Sequence, residues 1–423
     1  MKITGIGLFA ATIACALAQS VPAANAAQLQ EKILWSFAKP KRSDAQHPEA
    51  PLIDVNGILY GSSYFGGAHK RGAIFSLNLE TGAETVLYSF CSQHNCADGS
   101  YPLTSLIDVN GILYGTTVWG GSSCAGHGCG AVFSLDPNSG VETVVHAFGS
   151  GTDGVYPEGG MIDVRGTLYG TTEGGGTGCQ SNGGCGTVFA LDPNTGNETV
   201  VYSFQGGADG SLPTASLTNV KGTLYGTTDE GGANCQSTGG CGTVFALDPK
   251  TGGEKILYSF CGQQNCTDGI SPQFLVDVKG MLYGTTLGGG AQYGTGCFEN
   301  LGCGTVFALD PDTGAEKVLY AFAGGDDGAN PELSGVISMK GMLYGTTTYG
   351  GGTGCLGAGC GIVFAIDPGT GAETLVHSFC GQSKKCTDGT TPEAGLINMN
   401  GTLYGTTFSG GAYSAGTIFA LTK

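Results

Sequence analysis

The sequence has 423 residues, of which 79 are glycine and only 12% are charged, with a formal net charge of −17. That acidic balance excludes a nucleic-acid binder and a protein that docks on anionic membranes, since both need a surplus of Lys and Arg. High glycine combined with 40% hydrophobic residues argues for many tight turns in a packed molecule, not for disorder.

Residues 1–27, MKITGIGLFAATIACALAQSVPAANAA, join Lys2 to an apolar run and to small residues around Ala24–Ala26. This pattern predicts a secretory signal peptide cleaved after Ala26 or Ala27, hence a secreted or periplasmic protein. The run is too short to span a bilayer, and no later segment reaches the length of a transmembrane helix. Residues 28–423 carry no linker-like stretch and are expected to form one domain.

That domain opens with EKILWSF at 31–37, a β-like run. The tag LYG[TS][TS] then occurs seven times, with its tyrosine at Tyr60, Tyr114, Tyr169, Tyr225, Tyr283, Tyr344 and Tyr404. Four short runs surround each tag; in one unit they are MIDVRG (161–166), TLYGTT (167–172), GTVFALD (186–192) and ETVVYSF (198–204). Each is rich in β-branched or aromatic residues and bounded by Gly, Asp, Asn or Pro, which predicts a strand. Pairs such as Asn56-Gly57 suit a two-residue hairpin between the first and second runs. The sequence DPNTGN gives a Pro-Gly turn between the third and fourth.

Four antiparallel strands repeated seven times predict an all-β, seven-bladed β-propeller. The last unit stops after its third run, GTIFALTK (416–423), and EKILWSF matches the fourth run EKILYSF at 254–260. The N-terminal strand is therefore expected to complete the last blade, which removes two open sheet edges.

Sixteen cysteines follow the signal and fall into eight close pairs. These are Cys91/Cys96, Cys124/Cys129, Cys179/Cys185, Cys235/Cys241, Cys261/Cys266, Cys297/Cys303, Cys355/Cys360 and Cys380/Cys386. In an exported chain they predict eight local disulfides. The spacings lack the paired C-x2-C clusters of structural zinc sites, so no metal is assigned to them.

The motifs LYGTTxxGG, GTVFALDPxTG and DGxxP recur in fixed order over essentially the whole mature chain. In this the sequence resembles the GloVer tandem-repeat family of exported bacterial proteins, also called choice-of-anchor proteins. The resemblance implies propeller-like repeats and brings no enzymatic activity.

Uniform strands build blades, so function is sought where the repeats differ. Both variable connections, between strands two and three and between successive blades, emerge on one face and hold all the cysteine pairs. Directly after LYGTT that face receives Tyr349, Phe408, Tyr64, Phe65 and Trp119 from blades six, seven, one and two. Blades three and four supply Glu173, Asp229 and Glu230, and blade five Leu287. An aromatic arc opposite carboxylates suits sugar rings, whose apolar faces stack while their hydroxyls hydrogen-bond. The alternative for the aromatics is packing beneath the loops.

The expected function is a non-catalytic binding or scaffold module for an extracellular glycan or cell-surface protein. The alternative is a carbohydrate-active enzyme using Glu173 with Asp229 or Glu230 as its paired carboxylates. No nucleophile elbow, metalloprotease helix or phosphate loop occurs, so no cofactor is expected, and a monomer is. The Asp of DGxxP reads as a turn former or a calcium ligand. First-strand Asp54, Asp108, Asp163 and Asp277 either ring the channel and hold a cation or bond nearby backbone. His47, His69, His94 and His127 fall in loops of the first two blades, while His146 and His377 replace a fourth-strand tyrosine and are read as structural.

Overall fold

The computed structural model describes residues 29–38, 43–121, 124, 127–149, 152–179, 183–234, 241–290, 297, 301–331, 335–381 and 385–423. The predicted signal peptide and Cys235 lie outside them. Seven four-stranded antiparallel sheets succeed one another along the chain. In blade three the strands are Ile162–Val164, Thr167–Thr172, Thr187–Leu191 and Glu198–Ser203. The first strands, three residues long except for Ile270–Val278 in blade five, approach those of neighbouring blades and so line the axis. Gln30–Ser36 pairs antiparallel with Thr417–Thr422, so the N-terminal strand completes blade seven as the permuted strand count requires.

Hairpin chemistry explains the first-strand aspartates. Asn56 and Gly57 both have positive φ, 56° and 83°, as a type I′ turn demands. The Asp54 carboxylate accepts the Gly57 N–H at 2.8 Å, and Asp108, Asp163 and Asp277 accept from Gly111, Gly166 and Gly280 in the same way. These side chains close turns on the plain face.

Each blade boundary repeats one aromatic contact. A phenylalanine ending one blade's fourth strand meets, edge to face, a phenylalanine in the next blade's third strand. The pairs are Phe37–Phe75, Phe90–Phe133, Phe148–Phe189, Phe204–Phe245, Phe260–Phe307, Phe322–Phe364 and Phe379–Phe419. Their centroids are 4.9–5.2 Å apart, a favourable quadrupolar geometry. The glycine of LYG[TS][TS] makes room for the inner ring: a Cβ at Gly170 would strike the Phe189 ring, and Gly115 stands likewise over Phe133.

A second seam runs along the loop face. Gly130, at φ +92°, faces the Pro157 ring of the next blade so closely that a Cβ would collide with its Cδ. The same Gly–Pro meeting occurs at all seven boundaries. Below it, the Thr116 hydroxyl donates to the Pro157 carbonyl at 3.0 Å and Thr171 to that of Ala215 at 3.0 Å.

The outer rim carries a buried polar seam. At four boundaries a fourth-strand tyrosine, Tyr88, Tyr202, Tyr258 or Tyr320, donates to the DGxxP aspartate, Asp98, Asp209, Asp268 or Asp327, at 2.5–2.8 Å. The same carboxylate accepts a backbone N–H just past that strand, such as Gly262 to Asp268 at 2.8 Å. These aspartates therefore organise backbone, the turn-forming reading. A glutamate from the next blade completes each group, and burial raises Glu142, Glu254, Glu316 and Glu373 to about 7, helped by the nearby aspartate.

All seven disulfides that fall wholly within the described residues join nearest neighbours in sequence. Cys241 is also disulfide-bonded. Such a set fits the oxidising conditions outside the cytoplasm. No helix among the described residues is long and apolar enough to cross a membrane.

The described bridges lie in the connections between strands two and three and between successive blades, as expected, and the structure adds how deep they reach. Cys129, Cys185, Cys241, Cys303 and Cys360 are buried. Cys185 joins the core cluster of Val188 and Phe204, and Cys303 that of Val306 and Phe322. The cause is their position two residues before a third strand, as Cys185 precedes Thr187 and Cys303 precedes Thr305. By that point the chain has already turned into the sheet. Their partners Cys179 and Cys297 stay half-exposed, so each bridge fastens a loop to the core of its blade.

The boundary rings and the rim carboxyls each predict a measurable effect. Phe189→Ala removes one half of a boundary pair from a fully buried site, and denaturant unfolding should show a loss of about 3–5 kcal/mol. The rim glutamates bind protons more tightly folded than unfolded, so their contribution is complete below about 4.5 and is lost as pH rises through about 7. Thermal unfolding should therefore give a higher Tm near pH 5 than near pH 8, and Glu254→Gln with Glu316→Gln should flatten that slope.

Candidate functional site

One residue per blade is clasped at the mouth of the loop face: the residue before the proline of DGxxP. These are His47, Tyr101, Tyr156, Leu212, Ser271, Asn330 and Thr391, all left-handed with φ between 53° and 58°. Each donates its N–H to the preceding blade, as Tyr101 does to the Arg71 carbonyl at 2.7 Å and Tyr156 to that of Cys129 at 2.9 Å. In six blades its own carbonyl accepts from the residue after LYG[TS][TS] of the same blade: Tyr64 to His47 at 3.0 Å, Glu173 to Tyr156 at 2.9 Å, Asp229 to Leu212 at 2.9 Å and Phe408 to Thr391 at 2.9 Å. The backbone thus fixes two side chains per blade around the mouth, whatever those side chains are.

On one side the rings touch in succession. Phe408 lies 4.6 Å from His47, His47 5.7 Å from Phe65, Phe65 4.5 Å from Tyr64, and Tyr64 4.8 Å from Tyr101. Trp119 lies 4.7 Å from Tyr156, its plane tilted, and meets His127 edge-on at 5.8 Å. Between these runs lies a groove of about 360 Å³ lined by Tyr64, Arg71, Tyr101, Trp119 and His127 among others. The Arg71 guanidinium sits 5.2 Å from the Tyr101 ring centroid and donates to its hydroxyl, a cation–π contact. Burial holds the His47 imidazole below its usual range, partly offset by the Phe408 carbonyl, to which His47 Nδ1 lies 2.9 Å away.

On the other side the acids gather. Burial, and then the charges of Glu173 and Asp229, raise Glu158 to about 7. Glu173 is raised by burial and next by Asp229 and Glu230. Asp229 is raised by burial against an opposing hydrogen bond from Ser271, and Glu230 by burial and Asp229. Tyr64, itself raised chiefly by burial, feels Glu49 and Glu158, so aromatic and acidic sides share one mouth.

Tyr64, Phe65 and Phe408 thus join one run of rings, while Trp119 faces Tyr64 across the groove. Tyr349 bridges to Ala329 at the position equivalent to Trp119 and Phe65, and its ring packs against the hydrophobic cluster of Phe322, Val336 and Phe364. Glu173, Asp229 and Glu230 come within electrostatic reach of one another. Sequence reasoning passed over Tyr101, Tyr156, Arg71 and Glu158. The available signal was the variable residue before the DGxxP proline, aromatic in the very blades that flank the groove.

The family model of the Gloeobacter/Verrucomicrobia repeat matches the chain three times, over residues 24–239, 130–299 and 235–423. No curated protein matches it. Among solved structures, the extracellular domain of a one component system from B. thetaiotaomicron aligns with TM-score 0.50 and 12% identity, over 89% of this chain and 40% of that one. An oligogalacturonate lyase in complex with manganese aligns with TM-score 0.49 and 12% identity over 94% and 96% of the two chains. A computationally designed protein, Ika8, gives TM-score 0.47 and 14% identity over 88% and 96%. At such identities the first likeness extends to the fold alone.

Proposed function

The chain belongs to the Gloeobacter/Verrucomicrobia repeat family, and from that premise we propose that it is an exported, non-catalytic propeller that binds extracellular carbohydrate at its loop-face mouth. The observation that supports this most is the groove between Tyr64, Tyr101 and Trp119. Rings on its walls offer stacking surfaces to a sugar's apolar face, while Arg71 and the nearby carboxylates offer partners to its hydroxyls. The signal-like residues 1–27 would carry the chain out of the cytoplasm, and the short disulfide-closed loops would hold the mouth in shape before any ligand arrives. Pre-ordering of this kind lowers the entropic cost of binding. The protein would act as a monomer and needs no cofactor for this role.

A second reading is favoured by Glu158. A carboxyl group raised to about 7 beside Glu173 and Asp229 is poised to give a proton near neutral pH, as a general acid must. In that case the same mouth would cut the glycan that it binds, with Glu173, Asp229 or Glu230 as the ionised partner.

A glycan-array screen of the purified chain tests the binding reading. With a ligand in hand, Trp119→Ala should weaken binding about tenfold, in line with about 0.5–1.5 kcal/mol of stacking plus the lost contact area, whereas Asn194→Ala on the opposite face should leave it unchanged. Equal effects from the two substitutions would sink the mouth as the site. Glu158→Gln separates the readings: it leaves binding intact in both, and it removes product release from the bound glycan only in the enzyme.

A further inference from the structure

The rim position held by tyrosine at four blade boundaries is histidine at two. His146 pairs with Val132 in the same register in which Tyr202 pairs with Val188, so the imidazole stands where a phenol stands elsewhere. The consequence is a change of spacing. The tyrosines reach their aspartates at 2.5–2.8 Å, whereas His146 Nε2 stops 3.6 Å from Asp153 Oδ2. That separation is beyond a hydrogen bond.

Glu198, from the fourth strand of blade three, completes the group. One donor atom each from His146, Asp153 and Glu198 lies within 4.8 Å of the other two. His146 Nε2 is buried without a hydrogen-bond partner, which is costly unless something fills the gap beside it. Glu198 Oε1 is likewise unpartnered, as Oε1 of Glu142, Glu254 and Glu316 is at the tyrosine boundaries. The Asp153 carboxylate is already held in place, accepting from Gly149 N–H at 2.7 Å and Gly154 N–H at 2.8 Å. The imidazole is braced edge-on against Phe148 at 4.9 Å.

We propose that His146, Asp153 and Glu198 form a binding site for a divalent transition-metal ion of the zinc type at the boundary between blades two and three. Two ligands about 2.0–2.1 Å from a tetrahedral ion stand about 3.3 Å apart, close to the His146–Asp153 spacing, so the ion enters with a small side-chain adjustment. One imidazole and two carboxylates make a donor set that suits zinc better than calcium, which prefers oxygen alone. Side chains of His146 and Asp153 keep 19% and 25% of their surface exposed, so the site lies at the edge of the rim rather than deep in the core. The ion would bridge two blades where the sister boundaries use a tyrosine–aspartate hydrogen bond.

The test is titration of Zn²⁺ alone into the metal-free purified chain, read by calorimetry and by elemental analysis after gel filtration. His146→Tyr is the informative variant, because it installs the residue that the sister boundaries fold around. The wild-type chain should bind Zn²⁺, His146→Tyr should lose one equivalent, and Zn²⁺ should raise the Tm of the wild type but not of His146→Tyr. Glu198→Gln should weaken that equivalent at least tenfold. At the other histidine boundary His377 stands 3.8 Å from Asp388, and His377→Tyr should keep the equivalent assigned to His146. No Zn²⁺ bound by the wild type at ten micromolar free ion, or wild-type stoichiometry in both His146→Tyr and Glu198→Gln, overturns the proposal.

Discussion

The ring stands on an edge-to-face phenylalanine pair repeated at every blade boundary. Its geometry needs three things at once: a ring at the end of one fourth strand, a ring in the next third strand, and a residue without a side chain beneath the second ring. Gly170 meets the last need under Phe189, and its counterparts do so around the ring. Because seven boundaries share this solution, each blade takes the same angle to the next and the circle closes without a special joint. The strands are then nearly uniform by necessity, and most variation falls in the loops and in a few side chains around the mouth and the rim.

Much of this was legible in the sequence, and the reasons are local. Strands such as TVFAL and ETVVYS announce themselves by β-branched and aromatic residues between turn formers, and the strand count at the two ends gave the closure between Gln30–Ser36 and Thr417–Thr422. The residues after LYG[TS][TS] were visible because they vary beside an invariant tag. Tyr101 and Tyr156 were harder to see. Their motif reads as a turn, and only the fold reveals that a left-handed residue there bridges two blades while its side chain projects to the mouth. Cys185 and Cys303 were legible as bridge partners but not as core residues, because spacing tells which sulfurs can meet and not how deep they lie. Asp54 and its relatives show the converse: identical carboxylates around an axis suggest a ligand, yet a hairpin N–H three residues away satisfies each of them first.

Charge is distributed with the same economy. A chain with a net charge of −17 could spread its carboxylates over the surface, where they cost little. Instead one glutamate per boundary is drawn into the rim and several acids crowd one arc of the mouth. At the rim the tyrosine hydroxyls, pushed up by burial and by the carboxylates beside them, stay protonated and remain donors. At the mouth no cation stands among the causes that shift Glu158, Glu173, Asp229 and Glu230. The rim acids are thus tied into tyrosine and backbone hydrogen bonds, while the mouth acids are raised chiefly by burial and by one another.

The pairing of Gln30 with Thr422 also sets the order of events in the molecule's own making. Gln30–Ser36 pairs only with a strand nearly 400 residues further along the chain, so it waits for that strand before it gains its sheet neighbour. Joining segments so distant costs about 5 kcal/mol of chain entropy by the logarithmic loop law, and contacts of this span form slowly. Six blades can assemble from hairpins as they appear, but the circle locks only when both ends are present together. Once locked, neither terminus can peel away without exposing the edge of its neighbour. A latch of this kind resists unravelling from the ends, which is where proteases and mechanical pulling usually begin.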